Sequence, residues 1–139
     1  MRVLIDTCIW SRALRRREVP VDPITDELSR LLEAREKPAI PSVVRLEVLS
    51  GIIPLERLRK VRRDLDAFPT LRDSIDDYDL AAEYYSRCVI AGKSAGHIDV
   101  LICAFAVRRK MEIFTTDKDF IGYAGCLPIR IYKRALTFP

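Results

Sequence analysis

The feature that most constrains this chain is its opening, where Arg2-Val3-Leu4-Ile5 runs straight into Asp6. The run is β-branched and aliphatic and too short for a helix, so it reads as a strand buried on both faces within a parallel sheet. After Asp6 and Thr7 a new apolar pattern, Ile9-Trp10 and Ala13-Leu14, follows at helical spacing. A carboxylate at the carboxyl end of a central strand, where the chain turns into a helix, stands where open α/β sheets place their ligand sites. Taken alone, Asp6 serves equally well as a cap for that helix. Further carboxylates along the chain bear on the choice.

The 139 residues suffice for one domain over 1–139 and are too few for two. A helix is expected over 7–16. Asp22 before Pro23 is a start signal, a capping residue followed by proline at the first helical position. The helix it opens carries Ile24, Leu28, Leu31 and Leu32 on one stripe and ends near Lys37-Pro38. Ala39-Ile40 is a brief second strand, followed by helices over 43–52 and 55–68. A weak strand falls at 70–73, and Asp76 is expected to cap a helix over 77–91. The stretch 98–109 is apolar nearly all round and must be central. An inner strand at 112–115 and a last strand at 129–132 complete the pattern. Strands alternating with helices imply a three-layer α/β/α sandwich with a mostly parallel central sheet.

A hydrophobic content of 49% against 32% charged describes a chain able to build a core. The longest apolar run, 100–107, is far short of the ~20 residues a bilayer span needs. No basic segment followed by an apolar one opens the chain, so a cytoplasmic protein with no membrane partner is expected. Cys8, Cys88, Cys103 and Cys126 show no CxxC pairing and are expected to be reduced core thiols.

The net charge of +4 is unevenly spread. Cations cluster at Arg12-Ala-Leu-Arg15-Arg16-Arg17, at Arg57, Arg59, Lys60, Arg62 and Arg63, and at Arg108-Arg109-Lys110. Any one cluster is ordinarily a solvated helix face, and the last also suits a helix C-terminus. Together, beside an acidic site, they point to a polyanionic partner.

Glu47 lies on the 43–52 helix among Val43, Val44, Ser50 and Gly51 at helical spacing, where a glutamate is drawn inward and needs a partner. Arg45 is the nearest cation in sequence. Asp99 occupies the first turn of the most apolar helix. Dipole stabilisation there is worth ~0.3–1 kcal/mol, which tolerates an aspartate but does not require one. Asp117 sits just past the 112–115 strand, as Asp6 does past the first, and Asp119 follows two residues on; turn chemistry accounts for either singly. Two carboxylates about 5 Å apart repel by roughly 3 kcal/mol at an effective dielectric near 20. Such a set calls for a cation, and all-oxygen ligands select a hard one, Mg²⁺ or Mn²⁺. Ions of this kind bind phosphates and activate water for attack on a phosphodiester. The lone His97 fits packing at a helix start better than catalysis.

Asp6-Thr7 after an opening strand, Glu47 on a mid-chain helix, Asp99 before Val-Leu-Ile-Cys-Ala-Phe-Ala, and Thr115-Thr-Asp117-Lys-Asp119-Phe120 together resemble PIN-domain nucleases, in order and over essentially the whole chain. The small size resembles the VapC-like toxins of prokaryotic toxin–antitoxin pairs. The resemblance implies that Asp6, Glu47, Asp99 and Asp117 form the metal-binding and catalytic set, with Asp119 the alternative fourth acid and Thr7 and Thr115 in support. It also implies an endoribonuclease, a homodimer, and an antitoxin whose tail plugs the acidic groove. Two other readings compete: a PIN enzyme for RNA processing or DNA-structure cleavage, and a non-catalytic acidic-pocket binding or regulatory module.

Overall fold

The computed structural model describes residues 2–14, 22–34 and 38–132. Strand β1 (Val3–Ile5) lies parallel to β4 (Glu112–Phe114), with Val3 opposite Glu112, Leu4 opposite Ile113 and Ile5 opposite Phe114. Both strands are apolar and buried apart from the half-exposed Glu112, as expected for strands covered on both faces. Strand β2 (Ile40–Pro41) packs beside β1 and pairs in parallel with β3 (Thr70–Leu71). The strand expected at 129–132 is reduced to one parallel bridge between Ile131 and Ile113. Its hydrogen bonds are Ile113 N to Arg130 O at 2.8 Å and Tyr132 N to Ile113 O at 2.9 Å.

Helices flank these strands: α1 (Thr7–Leu14), α2 (Pro23–Glu33), α3 (Ser42–Leu49), α4 (Leu55–Leu65), α5 (Ile75–Ile90), α6 (His97–Arg108) and α7 (Asp119–Ala124). The architecture is therefore α/β, with parallel strands between helices. The expected ends at 15–16 and at Lys37 lie outside the described residues. Asp22 caps α2 as anticipated, its Oδ1 accepting from Thr25 N at 2.9 Å with Pro23 at the first position. Helix α6 runs fully buried from Val100 to Ala106 through the middle of the core. Helix α4 buries Val61 and Leu65 and turns Arg57, Arg59, Lys60, Arg62 and Arg63 outward. No helix among the described residues is long and apolar enough to cross a membrane.

Several expectations are corrected. Ser74, not Asp76, caps α5, because the helix begins two residues earlier than expected, at Ile75. Asp77 is fully buried: its Oδ2 accepts from Ser74 N at 2.8 Å and Arg109 Nη2 at 2.9 Å, and its Oδ1 accepts from Arg108 at 2.7 Å and Arg109 at 2.8 Å. Arg108 and Arg109 are thus engaged inside the protein rather than held out for a polyanion. Arg109 also lies over the Phe105 ring, 3.4 Å from its centroid. Helix α7 is not anticipated by the sequence pattern. All four cysteines are free, but only Cys88 and Cys103 are fully buried; Cys8 and Cys126 pack against the core part-exposed, and the Cys8 thiol also reaches Asp6.

Burial raises the Asp77 carboxyl, but hydrogen bonds from Arg109, Arg108 and the Ser74 amide outweigh it and hold the group far below its ordinary value of 3.8. A depressed folded pKa gives stability that is full above the unfolded value and fades as pH falls through the folded one. Asp77→Asn is expected to cost about 3 kcal/mol at pH 7, the low end for a broken buried pair because both guanidiniums reach solvent. The gap between its melting temperature and that of the wild type should narrow as pH falls from about 5 towards about 2. Parallel melting curves across that range would refute the assignment.

Candidate metal centre

Asp6 leaves β1 with its amide still in the sheet, donating to Phe114 O at 3.0 Å. This last rung places its side chain beside the end of β4. Oδ2 accepts the Thr115 hydroxyl at 2.8 Å and the Cys8 thiol at 3.4 Å, while Oδ1 accepts the Thr7 amide at 2.7 Å. Asp6 thus partners the N-terminus of α1 and is close enough to act on Asp99, while lying outside the group that Asp99 forms with Asp117 and Asp119.

Thr7 turns the other way, donating its hydroxyl to Glu47 Oε1 at 2.7 Å across forty positions of sequence. Glu47 is half-buried on α3, and Arg45 reaches Asp66 instead, at 2.7 Å. Thr115 accepts from Asp117 N at 3.0 Å, and Asp117 Oδ1 in turn accepts from Asp119 N at 2.9 Å. The turn after β4 is therefore folded around hydroxyl and carboxylate acceptors, as aspartate-rich turns are.

Asp99 projects from the first turn of α6. It offers a carboxylate oxygen that lies within 4.8 Å of one from Asp117 and one from Asp119, each within that distance of the other. Asp117 and Asp119 both reach this cluster, so the geometry does not force a choice between them. Burial pushes the Asp99 carboxyl up, a hydrogen bond from Tyr123 opposes this, and the charges of Asp117, Asp6 and Glu47 push it up further. Three of the acids singled out in the sequence thus act on a fourth, Asp99. Among the described residues, none of Asp6, Glu47, Asp99, Asp117 and Asp119 forms an ion pair with a cationic side chain.

The donor set is all oxygen, close-spaced and uncompensated, which fits a hard divalent cation. Glu47 also borders a cleft of about 1310 Å³ between α1, α3 and α4, which Arg57 and Lys60 line alongside Glu56 and Asp64. Arg59, Arg62 and Arg63 do not line it. His97 stands exposed at the start of α6, stacked on Tyr85 with ring centroids 4.7 Å apart. The sequence pattern gave no role to Tyr123 or to the thiol of Cys8, both of which touch the acids. For Tyr123 the available signal was its position four residues after Asp119, one helical turn on.

The PIN domain model matches residues 3–125. The chain belongs to the PIN domain family. Its fold is similar to FitAcB from Neisseria gonorrhoeae, with a TM-score of 0.74 at 18% identity, covering 95% of this chain and 97% of that one. It is similar to VapBC2 from Rickettsia felis bound to a promoter DNA fragment, at 0.75 and 19%, covering 94% and 96%. A toxin–antitoxin complex from Klebsiella pneumoniae gives 0.68 and 21%, covering 93% and 99%. At these identities the likeness is one of fold. Comparison with curated proteins gives no match. The aspartate cluster is of the kind typical of a PIN metal site.

The geometry separates two acids of this PIN domain in stability. Asp99 sits in the field of its neighbours, so Asp99→Asn should leave the protein in EDTA melting as high as wild type or higher. Asp6 accepts hydrogen bonds at both oxygens, and Asp6→Asn turns an acceptor into a donor facing Thr115 or the Thr7 amide. That should cost about 1–3 kcal/mol. Melting curves of both variants in EDTA check the contrast; a destabilised Asp99→Asn would make that acid a structural one.

Proposed function

We propose that this PIN domain, spanning 1–139, is a Mg²⁺- or Mn²⁺-dependent endoribonuclease and the toxin of a VapBC-like pair. The observation that carries the reading is the convergence of Asp99, Asp117 and Asp119, with Asp6 and Glu47 close enough to act on Asp99 and, among the described residues, no cation paired to any of them. Asp6, Glu47, Asp99 and Asp117 are assigned as metal-binding and catalytic acids, with Asp119 available beside them. When bound, the metal neutralises these charges and supplies an activated water for hydrolysis of the phosphodiester.

The chain's own residues do the rest. Thr115 and the Thr7 amide hold the Asp6 carboxylate from opposite oxygens, and the Thr7 hydroxyl orients Glu47. Arg57 and Lys60, sharing the cleft with Glu47, hold the RNA backbone, with Arg59, Arg62 and Arg63 adding longer-range attraction from the same helix. An antitoxin partner is supported by the similar folds found in toxin–antitoxin complexes. A homodimer is assigned with it. A non-catalytic binding module would leave this uncompensated acid set without a use.

Incubating the full chain with RNA should give cleavage in Mn²⁺ or Mg²⁺ and none in EDTA, with Asp99→Asn inactive although folded. Cleavage that survives exhaustive chelation overturns the mechanism. Saturation with either ion at about 100 times Kd should stabilise the fold by roughly 2.7 kcal/mol.

The basic helix has its own test. Reversing charge at Arg57 and Lys60 together should weaken RNA binding and flatten the salt dependence, each lost phosphate contact removing about 0.7 from the slope for a single strand. An unchanged slope returns α4 to a merely solvated face.

A further inference from the structure

Tyr123 is 2% exposed and sits on α7, one turn after Asp119. Its ring packs edge-on against Phe120 with centroids 5.4 Å apart, which fixes where the phenol points. The hydroxyl donates to Asp99 Oδ2 at 3.0 Å. Among the described residues this is the hydrogen bond that the Asp99 carboxylate accepts, and Oδ1 is left without a donor. On the same side as Oδ2 stands Gly96, where an added Cβ would lie 3.7 Å from that oxygen.

We propose that Tyr123 is a positioning residue for the metal centre, pinning Asp99 through Oδ2 so that Oδ1 is presented to a divalent cation beside Asp117 and Asp119. The assignment rests on the metal reading above and extends it to a residue outside the acidic set. A carboxylate repelled by Asp117, Asp6 and Glu47 would otherwise rotate toward water. A neutral phenol prevents that without cancelling the charge the cation needs. Helix α7 thus brings an acid, Asp119, and an orienting donor, Tyr123, to Asp99 on one face. A buried phenol commonly has a hydrogen-bond partner for its own sake. The test therefore has to separate service to the phenol from service to the carboxylate.

Tyr123→Phe keeps the ring and removes the donor. Mn²⁺ binding to the full-length variant, followed calorimetrically at fixed pH without RNA, should weaken by about 10- to 100-fold, the usual effect of losing a group that orients a ligand. The stoichiometry reports the folded fraction and Kd reports the site, so partial unfolding does not mask the result. Removing the donor in an Asp99→Asn background should produce no further loss. An affinity within twofold of wild type overturns the proposal and leaves the metal reading intact.

If the variant does not fold, the wild type supplies a second measurement. Mg²⁺ should produce a saturable tyrosine difference band in the near ultraviolet that Asp99→Asn lacks, and absence of that band overturns the proposal. A wild type that binds Mn²⁺ but cleaves no RNA overturns the ribonuclease reading while the comparison of Tyr123→Phe with wild type still decides this one. A wild type that binds neither ion overturns both.

Discussion

The parallel pairing of β1 with β4 is the interaction on which the rest depends. Three rungs in register bring Ile5 opposite Phe114, and the next amide, from Asp6, still bonds to Phe114 O. Asp6 and Thr115 therefore leave the sheet side by side, and Asp117 follows within two residues. A slip of one residue would turn the side chains of β4 to the opposite face and carry Thr115 away from Asp6. The strands are short, so the register is held mainly by the apolar residues packed on both faces, with α6 supplying a continuous buried stretch from Val100 to Ala106. That same helix carries Asp99 in its first turn, so a central element of the core also delivers the acid whose carboxyl burial and its neighbours push up.

Two aspartates show how the fold distinguishes scaffold from site. Asp77 is buried completely, yet two arginines and a backbone amide saturate it, and its carboxyl is held well below the ordinary range. Asp99 is only half-buried, yet its carboxyl is driven upward by burial and by other acids. Burial alone would have ranked them in the wrong order. What separates them is whether the protein supplies the opposite charge itself. Glu27 belongs with Asp77: it is buried on α2 and receives Arg30 and the Tyr132 hydroxyl.

The parts of this arrangement legible in sequence were those set by local pattern. The opening strand ending at Asp6, the Asp22-Pro23 start of α2, and the all-apolar α6 follow from periodicity and capping over a few residues. The acids stood out because their neighbours were apolar. Partners distant in sequence were not legible. Nothing near Arg108 and Arg109 indicates that both turn back some thirty positions to Asp77, and Glu47 has no sequence cue for Thr7. Helix α7 is six residues long, too short for a helical period to register against the turn-forming Thr-Asp-Lys-Asp that precedes it. The strand expected at 129–132 is reduced to a single bridge. Alternating Ile129 and Ile131 suit a strand, but the backbone pairing is confined to Ile113.

The choice of neutral donors around the acids follows from the same electrostatics. A carboxylate can be held in place by a guanidinium, as at Asp77, or by hydroxyls and amides, as at Asp6, Glu47 and Asp99. The guanidinium binds more strongly and cancels the charge; the hydroxyl binds less strongly and leaves the charge in place. Thr7, Thr115 and Tyr123 all take the second course. Each fixes an oxygen while the summed negative potential remains for an incoming cation. Replacing any of them by lysine or arginine would neutralise the acids and, on the metal reading proposed above, put a side chain where the cation would bind. The mutual repulsion of the acids is what such a cation would relieve, and the deep apolar packing of α6 and of the β1–β4 pair is what lets the fold carry it.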